Sequence, residues 1–385
     1  MSMLELRKFV APEFIFGSGA LDLVGRYARN FGGKKIMIAT DPGLLAVGCC
    51  NRVEEILAEE GLACAVFSGI SPNPRAEEAM RGAEFYAEND CDVIVAVGGG
   101  SVMDCAKGIG IVSTNRRNVL EFEGIDKVPI PGPPLICIPT TAGTSADVSQ
   151  FAIISNRVRH VKIAIISKTM VPDVALIDPA TTLTMDSYLT ACTGMDALVH
   201  AIEAYVSTAS SPLLDLHALE AIRLIGTYLP QVMKKPDDLE LRGWVMLGSL
   251  EAGIAFSNAS LGAVHAMAHS LGGLLDLAHG ECNAILLGPV MAFNYREVGT
   301  RYRKVGEALG LDMEGMAARE AEAAVLAKIR DLKEEVGIRS TLAERGVTIA
   351  DIPELARNAI KDPCMVTNPR MPNQRDIEVV YEEAL

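Results

Sequence analysis

The first half of the chain alternates short, nearly all-apolar segments with helical patterns, and this alternation constrains the fold most strongly. Segments of this length and composition are typical of strands that are buried on both faces. Helical patterns between such strands indicate a parallel sheet covered on both sides, so the sequence predicts an α/β fold with a Rossmann-like sheet. The segments are KKIMIAT (34–40), ACAVF (63–67), CDVIVAV (91–97), PLICIPT (134–140), FAIIS (151–155), VKIAII (161–166) and DVALIDP (173–179).

The pattern changes near residue 180. Beyond that point long amphipathic helical patterns dominate, separated by breaks rich in Gly, Pro or Asp, and no segment has the pattern of a strand. We therefore predict two domains, an α/β domain over residues 1–180 and an all-helical domain over residues 181–385. Examples of these helical patterns are residues 187–206, 213–228, 239–256 and 316–336.

Composition excludes several classes of function. The formal net charge is −14 and no basic patch occurs, which argues against a nucleic-acid partner. The longest apolar stretches fall short of the ~20 residues that span a bilayer, and the N-terminus lacks the pattern of a signal peptide. Nine scattered cysteines without a CxxC pair are typical of reduced thiols. We expect a cytoplasmic protein that binds neither nucleic acid nor membrane.

A glycine-rich turn follows the clearest predicted strand. In VGGGSVMD (97–104), the glycines let the backbone approach a ligand closely, and the start of the next helix favours an anion such as a pyrophosphate. Ser101 and Asp104 have the spacing of a capping box, so the alternative is a capped helix without a ligand. The string matches neither the GxGxxG fingerprint nor a nucleoside-triphosphate loop.

Two other segments at strand ends suit a polar ligand. Asp41, after the first central strand, can accept hydrogen bonds from the hydroxyls of an adenosine ribose and would repel a 2′-phosphate. The alternative for Asp41 is an ordinary Asp-Pro-Gly turn. The segment IPTTAGTSAD (138–147) carries four hydroxyls among small residues, which fits a ligand-binding loop or a polar surface loop.

Histidines are concentrated in one part of the chain. Of the six in the sequence, three lie within AVHAMAHSLGGLLDLAHG (263–280). His265 and His269 are four residues apart, so both project from one face of a predicted helix. Asp196 and His200 have the same spacing on another predicted helix. One carboxylate and several imidazoles at this spacing suit a divalent cation, either Zn²⁺ or Fe²⁺.

The number of ligands stays open at this level. Asp196 and three of the imidazoles, with His279 among the candidates, would leave an open position for a substrate oxygen. Spacing does not decide which of His265 and His269 coordinates the ion. The imidazole that does not coordinate could relay protons near neutral pH.

These blocks resemble the iron-containing, group III alcohol dehydrogenase family. The matches occur in the order of the family across nearly the whole chain, and the VHAMAH block with the upstream DxxxH is the most specific. The matching segments are GGGSVMDCAK (98–107), PTTAGTSAD (139–147), GMDALVHAIEAYVS (194–207), AGIAFSNASLGAVHAMAHSLGG (252–273), HGECNAILL (279–287) and NPRMPNQRDI (368–377).

The resemblance implies a fold of the dehydroquinate synthase-like, iron-alcohol-dehydrogenase type, with an NAD-binding domain, a helical metal-binding domain and the active site in the cleft between them. It implies NAD(H)-dependent, reversible oxidation of a small primary alcohol or diol to an aldehyde, and homodimers or larger assemblies. It favours Fe²⁺, with Zn²⁺ as the alternative. It gives His269 a catalytic role beside the substrate. It places the metal on Asp196, His200, His265 and His279.

The resemblance also implies a set of cofactor contacts. It places the pyrophosphate on the glycine-rich turn, and Asp41 matches the position that favours NAD over NADP. The implied cofactor-binding residues are Asp41, Asn73, Gly98, Gly99, Gly100, Ser101, Thr140, Thr141, Thr144 and Lys162.

The chain departs from the family pattern at Ser270, Ala278, Glu281 and Cys282, which leaves the substrate open. Two alternative functions would require different residues. A lyase of the dehydroquinate synthase type would need several Lys and Arg residues around the metal, and the predicted ligand-bearing helices hold almost none. A non-catalytic metal- or nucleotide-binding relative would be expected to have lost some ligands, and all are present.

Overall fold

The computed structural model describes residues 8–385. The chain divides into two compact units, which are described separately below. The N-terminal unit is Val10–Met185, and the helical unit is Asp186–Leu385 together with residues 8 and 9. Their roles as cofactor-binding and metal-binding domains stay predictions.

The N-terminal unit contains a six-stranded sheet in which every pair of neighbouring strands is parallel. The strands of this unit are β1 (Glu13–Phe16), β2 (Lys35–Ala39), β3 (Ala63–Phe67), β4 (Val93–Gly98), β5 (Gly124–Ile125), β6 (Leu135–Pro139), β7 (Phe151–Asn156), β8 (Val161–Ile166) and β9 (Val174–Ile177). The order across the sheet is β1-β9-β6-β4-β2-β3. This confirms the predicted α/β fold with a parallel sheet, although the edge strand β1 was not predicted.

A second, three-stranded sheet has the order β5-β8-β7. β7 and β8 are antiparallel, with Phe151 opposite Ile166 and Asn156 opposite Val161. Only residues 157–160 connect them, and a parallel crossover needs a dozen or more residues. The expectation that these two segments extend the parallel sheet was therefore wrong.

Helices cover both faces of the parallel sheet. Alternate residues of β2 enter different hydrophobic clusters: Ile36 and Ile38 lie in one, and Met37 and Ala39 lie in the other. Burial on both faces explains why these strands are apolar throughout instead of alternating with polar residues. The α-helices of this unit are α1 (Val24–Asn30), α2 (Pro42–Ala46), α3 (Asn51–Glu59), α4 (Ala76–Glu88) and α5 (Gly100–Asn115).

The order of the strands locates a ligand crevice. β2 and β4 are neighbours in the sheet. After β2 the chain forms β3 on the far side of β2, and after β4 it continues to β6 on the far side of β4, so the direction of strand addition reverses between β2 and β4. Such a reversal is a topological switch point, and ligands of open α/β sheets bind there, outside the carboxyl ends of the strands. Asp41 follows β2 and Gly98 ends β4, so both lie at this edge.

The helical unit contains no strand between residues 186 and 385, which confirms the all-helical prediction. Its longest helix, α10, contains a residue with non-helical backbone at Val298. The helices are α6 (Ser187–Val206), α7 (Pro212–Lys234), α8 (Leu239–Ala259), α9 (Ala263–Leu275), α10 (His279–Ala308), α11 (Ala318–Glu335), α12 (Ile352–Lys361) and α13 (Gln374–Ala384).

None of the helices in the described part of the chain combines the length and the apolar character that crossing a bilayer requires. All nine cysteines are free thiols, and seven of them are buried.

Candidate metal centre and cofactor crevice

Helix α6 carries the first two predicted ligands. It is buried from Thr190 to Val206, so the polar side chains of Asp196 and His200 must find partners inside the protein. The His200 ring stacks on His265, with 4.4 Å between ring centroids, and on Phe256, with 4.3 Å between centroids. The spacing of four residues thus brings both side chains to the same side of α6, as predicted.

Helix α9, which carries His265, begins at a buried point. Its N-cap residue, Gly262, has no side chain that could cap the helix. Two side chains from other parts of the chain instead accept hydrogen bonds from the first N–H groups of α9. Oδ1 of Asn368 accepts from Ala263 N at 3.1 Å, and Oε1 of Glu203 accepts from Val264 N at 2.7 Å. A Cβ atom at Gly262 would lie 2.9 Å from each of these two oxygens, so a glycine is needed here.

The second oxygen of Glu203 fixes the orientation of His265. Oε2 of Glu203 lies 2.6 Å from Nδ1 of His265, and both side chains are buried. In the neutral ring, a proton on Nδ1 would leave the lone pair on Nε2, which lies 3.6 Å from Oδ1 of Asp196. Burial alone would lower the pKa of His265, but hydrogen bonds to Asp196 and Glu203 raise it to about 9.

His279, the first residue of α10, completes a cluster with Asp196 and His265. Its Nε2 lies 3.9 Å from Oδ1 of Asp196, and one ligand atom of each residue lies within 4.8 Å of the others. Burial would raise the pKa of Asp196, but the imidazoles of His200, His265 and His279 hold that pKa well below its usual range. Asp196 is therefore a buried carboxylate among imidazoles, a donor set that suits Zn²⁺ or Fe²⁺.

His269 lies beside this cluster and not within it. Its Nδ1 lies 2.9 Å from Oδ2 of Asp362, and its ring stacks on His279 with 5.2 Å between centroids. Asp362 is also bonded to the backbone N–H of Cys364, at 2.8 Å. Burial would raise the pKa of Asp362, but the His269 imidazole beside it holds that pKa below its usual value. His265 thus shares a group of possible ligand atoms with Asp196 and His279, and His269 shares a second group with Asp362 and Cys364, so the choice between the two imidazoles stays a prediction.

The remaining two histidines have other surroundings. His217 pairs with Glu251, with 2.5 Å between Nδ1 and Oε2. His160 occupies a turn after β7, with a left-handed backbone (φ 51°).

In the N-terminal unit, the glycine-rich turn packs directly on the Thr-rich loop. A Cβ atom at Gly99 would lie 3.1 Å from Cγ2 of Thr141, and one at Gly100 would lie 2.7 Å from Cγ2 of Thr144. Thr140 N donates to the carbonyl of Gly98 at 3.0 Å. Two segments that were predicted separately from the sequence therefore form one surface at the switch point of the sheet.

Ser101 and Asp104 do not form a capping box at this turn. Gly99 is the N-cap of α5, and no side chain caps that helix start, so Ser101 lies inside the first turn. Asp104 instead accepts a hydrogen bond from Ile153 N of β7, at 3.1 Å. A helix start that lacks a side-chain cap is suited to an anion.

The other predicted cofactor residues lie around the same edge of the sheet. Asp41 is the N-cap of α2, and its Oδ1 accepts a hydrogen bond from Leu44 N at 3.0 Å. The Asp-Pro-Gly turn, which is the alternative to a ribose-binding role for Asp41, is therefore present. Asn73 has a left-handed backbone (φ 54°), and its Oδ1 accepts from Nζ of Lys162 at 2.6 Å. Thr140 also lines a cavity of about 250 Å³ at this edge.

Three residues around the candidate metal centre were not predicted from the sequence: Glu203, Asp362 and Asn283. Glu203 lies one helical turn after His200, and Asn283 lies one turn after His279, so helical spacing from the ligands could have pointed to both. Asp362 is distant from His269 in the sequence and gives no local signal. The buried Oδ1 of Asn283 has no hydrogen-bond partner within the described part of the chain.

Comparison with known proteins gives consistent results. Residues 11–179 match the family described as iron-containing alcohol dehydrogenase, and residues 190–385 match the C-terminal part of the Fe-containing alcohol dehydrogenase family. The chain is 41% identical over 383 residues to alcohol dehydrogenase 4 of Schizosaccharomyces pombe, which covers 99% of this chain and 90% of that protein.

Solved structures of relatives have the same fold. The crystal structure of 1,3-propanediol oxidoreductase is 37% identical, with a TM-score of 0.96 over 99% of this chain and 100% of that one. Sulfoacetaldehyde reductase from Bifidobacterium kashiwanohense, solved in complex with NAD⁺, is 28% identical, with a TM-score of 0.87 over 99% of each chain. This chain belongs to the iron-containing alcohol dehydrogenase family.

Proposed function

We propose that this protein is a NAD(H)- and divalent-metal-dependent alcohol dehydrogenase that interconverts a small primary alcohol or diol and its aldehyde. The observation that carries the proposal is the cluster of ligand atoms from Asp196, His265 and His279, which come from three different helices and lie within 4.8 Å of one another. A buried carboxylate among imidazoles is stabilised by a cation. Membership of the family supports the same chemistry.

Four residues would hold the ion: Asp196, His200, His265 and His279. One carboxylate and three imidazoles suit Fe²⁺, which the family name favours, and also Zn²⁺. The contact of Glu203 with Nδ1 of His265 supports the assignment, because ligating histidines generally donate their other ring N–H to such a partner.

The cofactor would bind at the switch point of the sheet in the N-terminal unit. The uncapped start of α5 and the glycines before it suit a pyrophosphate, and Asp41 suits an unphosphorylated ribose. A relative solved with NAD⁺ has the same fold. The proposed contacts are Asp41, Asn73, Gly98, Gly99, Gly100, Ser101, Thr140, Thr141, Thr144 and Lys162.

In this reaction the divalent ion supplies a Lewis acid that lowers the pKa of an alcohol and polarises an aldehyde oxygen, and NAD accepts or returns the hydride. His269 would move the proton. Its contact with Asp362 supports this role, because a proton held on Nδ1 would leave the lone pair of Nε2 to accept a proton, and its ring stacks on His279. Positioning of this kind lets a general acid–base group act at a fixed distance from the reacting oxygen.

The substrate class follows from the surroundings of the ligands and from the relatives. Phe256 stacks on His200, and α6 and α9 carry neither Lys nor Arg, so an anionic substrate has no partner on these two helices. The relatives alcohol dehydrogenase 4 and 1,3-propanediol oxidoreductase, by their names, are consistent with small alcohols and diols as substrates.

We further propose a homodimer or larger homo-oligomer in the cytoplasm, where nine free thiols stay reduced.

A screen of short-chain aldehydes and diols tests this function. The purified protein, loaded with Fe²⁺ or with Zn²⁺, is assayed for aldehyde-dependent oxidation of NADH and of NADPH and for diol-dependent reduction of NAD⁺. We expect turnover with at least one small aldehyde and a preference for NADH. Absence of turnover with every substrate, both metals and both cofactors would contradict the proposal.

A further inference from the structure

The start of α10 carries His279, one of the proposed metal ligands, as its first residue. The first N–H groups of a helix have no partner within that helix, and among the described residues no side chain caps α10 at Ala278. The side chain of His279 is 25% exposed, whereas Asp196 and His265 are almost completely buried. Packing therefore constrains His279 less than it constrains the two residues with which it clusters.

The backbone at this point lies directly against α6, the helix that carries Asp196. A Cβ atom at Gly280 would lie 2.5 Å from the carbonyl oxygen of Cys192, so this approach of the two helices requires a glycine. Cys192 lies one helical turn before Asp196. The contact between the start of α10 and α6 therefore sets the distance between His279 and Asp196.

Glu281, in the first turn of α10, joins this helix start to other segments through side-chain hydrogen bonds. Its side chain is buried, and its Oε2 accepts from the hydroxyl of Tyr188, in the first turn of α6, at 2.8 Å. Its Oε1 accepts from Oγ of Ser340 at 2.6 Å and from Nε of Arg345 at 2.9 Å. One carboxylate thus connects α10 both to α6 and to the segment that follows α11.

These contacts are a property of this chain. Glu281 is one of the positions at which the sequence departs from the family pattern, so the resemblance does not imply them. Its two oxygens are bonded to protein side chains, and the guanidinium of Arg345 also pairs with the carboxylate through Nη2. Because hydrogen bonds to an ionised group are stronger than those between neutral groups, these contacts can hold the start of a helix.

We propose that Glu281 is a positioning residue for the metal site, which fixes the distance between His279 and Asp196 by holding the start of α10 on α6. The hydrogen bond from Tyr188 makes the link to α6, and Arg345 orients the carboxylate for it. Glu281 acts through geometry and not through its charge. The inference rests on the metal site of the proposed function.

The affinity for Zn²⁺ tests this inference, measured on purified variants by competition with a chromogenic chelator. We expect Glu281→Ala to bind Zn²⁺ about tenfold more weakly, at the lower end of the usual loss when a support of a ligating histidine is removed. Tyr188→Phe, which loses only the link to α6, should also bind more weakly.

The conservative variant Glu281→Gln separates geometry from charge. Its amide oxygen still accepts from Arg345, and its amide nitrogen can donate to the oxygen of Tyr188, so both links survive without the negative charge. We expect this variant to bind Zn²⁺ like the wild type. A loss of affinity as large as that of Glu281→Ala would overturn the inference, because the charge would then be responsible.

Asp215→Asn controls for a general loss of stability. Asp215 pairs with Arg301, further along α10, so this variant weakens an ion pair of the same helix away from its start. Melting temperatures measured without added metal should fall in both Asp215→Asn and Glu281→Ala, and the Kd for Zn²⁺ should rise only in the latter. An equal rise in both would mean that Glu281 only stabilises the fold, which would contradict the inference.

Wild-type affinity in both Glu281→Ala and Tyr188→Phe would also overturn it. If Glu281→Ala does not fold, the other two variants decide: weaker binding in Tyr188→Phe but not in Glu281→Gln supports the inference, and any other pattern contradicts it. Failure of the wild type to bind Zn²⁺ or Fe²⁺ would instead contradict the proposed function itself.

Discussion

Nδ1 of His265 and Oε2 of Glu203 lie 2.6 Å apart, and both side chains are buried. The other oxygen of Glu203 accepts the N–H of Val264 at the start of α9. One carboxylate therefore orients the helix that carries His265 and fixes which nitrogen of the ring faces Asp196. This relationship leads to the first prediction.

Replacing Glu203 with Gln should weaken metal binding by about 10- to 100-fold, the usual effect of losing a partner of a ligating histidine. The amide of Gln can still accept from Val264, but it then presents an N–H group to Nδ1 and opposes the proton that this nitrogen carries. The Kd for Zn²⁺, measured by chelator competition, checks this. Glu220→Gln is the control, because Glu220 is an exposed partner of Arg223 on α7. Equal Kd values for both variants would count against the role of Glu203.

His265 and His269 should respond differently to replacement by alanine. We expect His265→Ala to abolish both metal binding and turnover. We expect His269→Ala to retain the metal and to lose about 10²- to 10⁴-fold in kcat, the usual contribution of a general acid–base group. Elemental analysis beside steady-state kinetics checks both. Loss of metal from His269→Ala would show that the two imidazoles have been assigned the wrong way round.

The glycine-rich turn should not tolerate a side chain at Gly100. A Cβ atom there would lie 2.7 Å from Cγ2 and 2.8 Å from Oγ1 of Thr144, so Gly100→Ala forces the two segments apart. We expect the Kd for NADH to rise about tenfold or more, since overpacking of this kind typically costs 1–3 kcal/mol. NADH fluorescence titration measures it.

The matched control for that variant is Gly110→Ala on the same helix. The nearest atom to a Cβ at Gly110 is Cδ of Pro133, at 3.5 Å, which is an ordinary contact. This variant should bind NADH like the wild type. If Gly100→Ala also does so, the pyrophosphate does not bind at this turn.

Asp41→Ser separates the charge of Asp41 from its role as a helix cap. Serine still accepts from Leu44 N at the N-cap of α2, while the negative charge that repels a 2′-phosphate is lost. We expect the ratio of kcat/KM for NADPH to that for NADH to rise about tenfold, as charge repulsion near a protein surface allows. Asp173→Ser, at the residue that precedes β9, is the control. An unchanged ratio in Asp41→Ser would mean that the ribose binds elsewhere.

Much of the fold was predictable because its signals are local. The apolar segment 91–97 lies in a sheet covered on both faces, and the spacing of Asp196 and His200 places both on one side of a buried helix. The hairpin of β7 and β8 was misplaced because apolar composition does not encode pairing direction. The short connection 157–160 was the available signal, since it is too short for a parallel crossover.

The candidate site was predictable only in part, for a related reason. Helical spacing pairs residues within one helix, so it grouped His265 with His269. The structure separates them through partners from elsewhere: Glu203 of α6 contacts His265, and Asp362, which follows α12, contacts His269. Tertiary packing sets these pairs, and one sequence carries no local pattern for it.

The central claim is that one divalent ion, held by Asp196 and three imidazoles, is required for hydride transfer. Stepwise addition of Fe²⁺ to metal-free protein under anaerobic conditions, with aldehyde-dependent NADH oxidation as the readout, tests it most directly. The rate should rise in proportion to the added Fe²⁺ and stop rising at about one ion per chain, and it should not rise in Asp196→Ala. Full turnover of the metal-free protein, or wild-type turnover in Asp196→Ala, would contradict it.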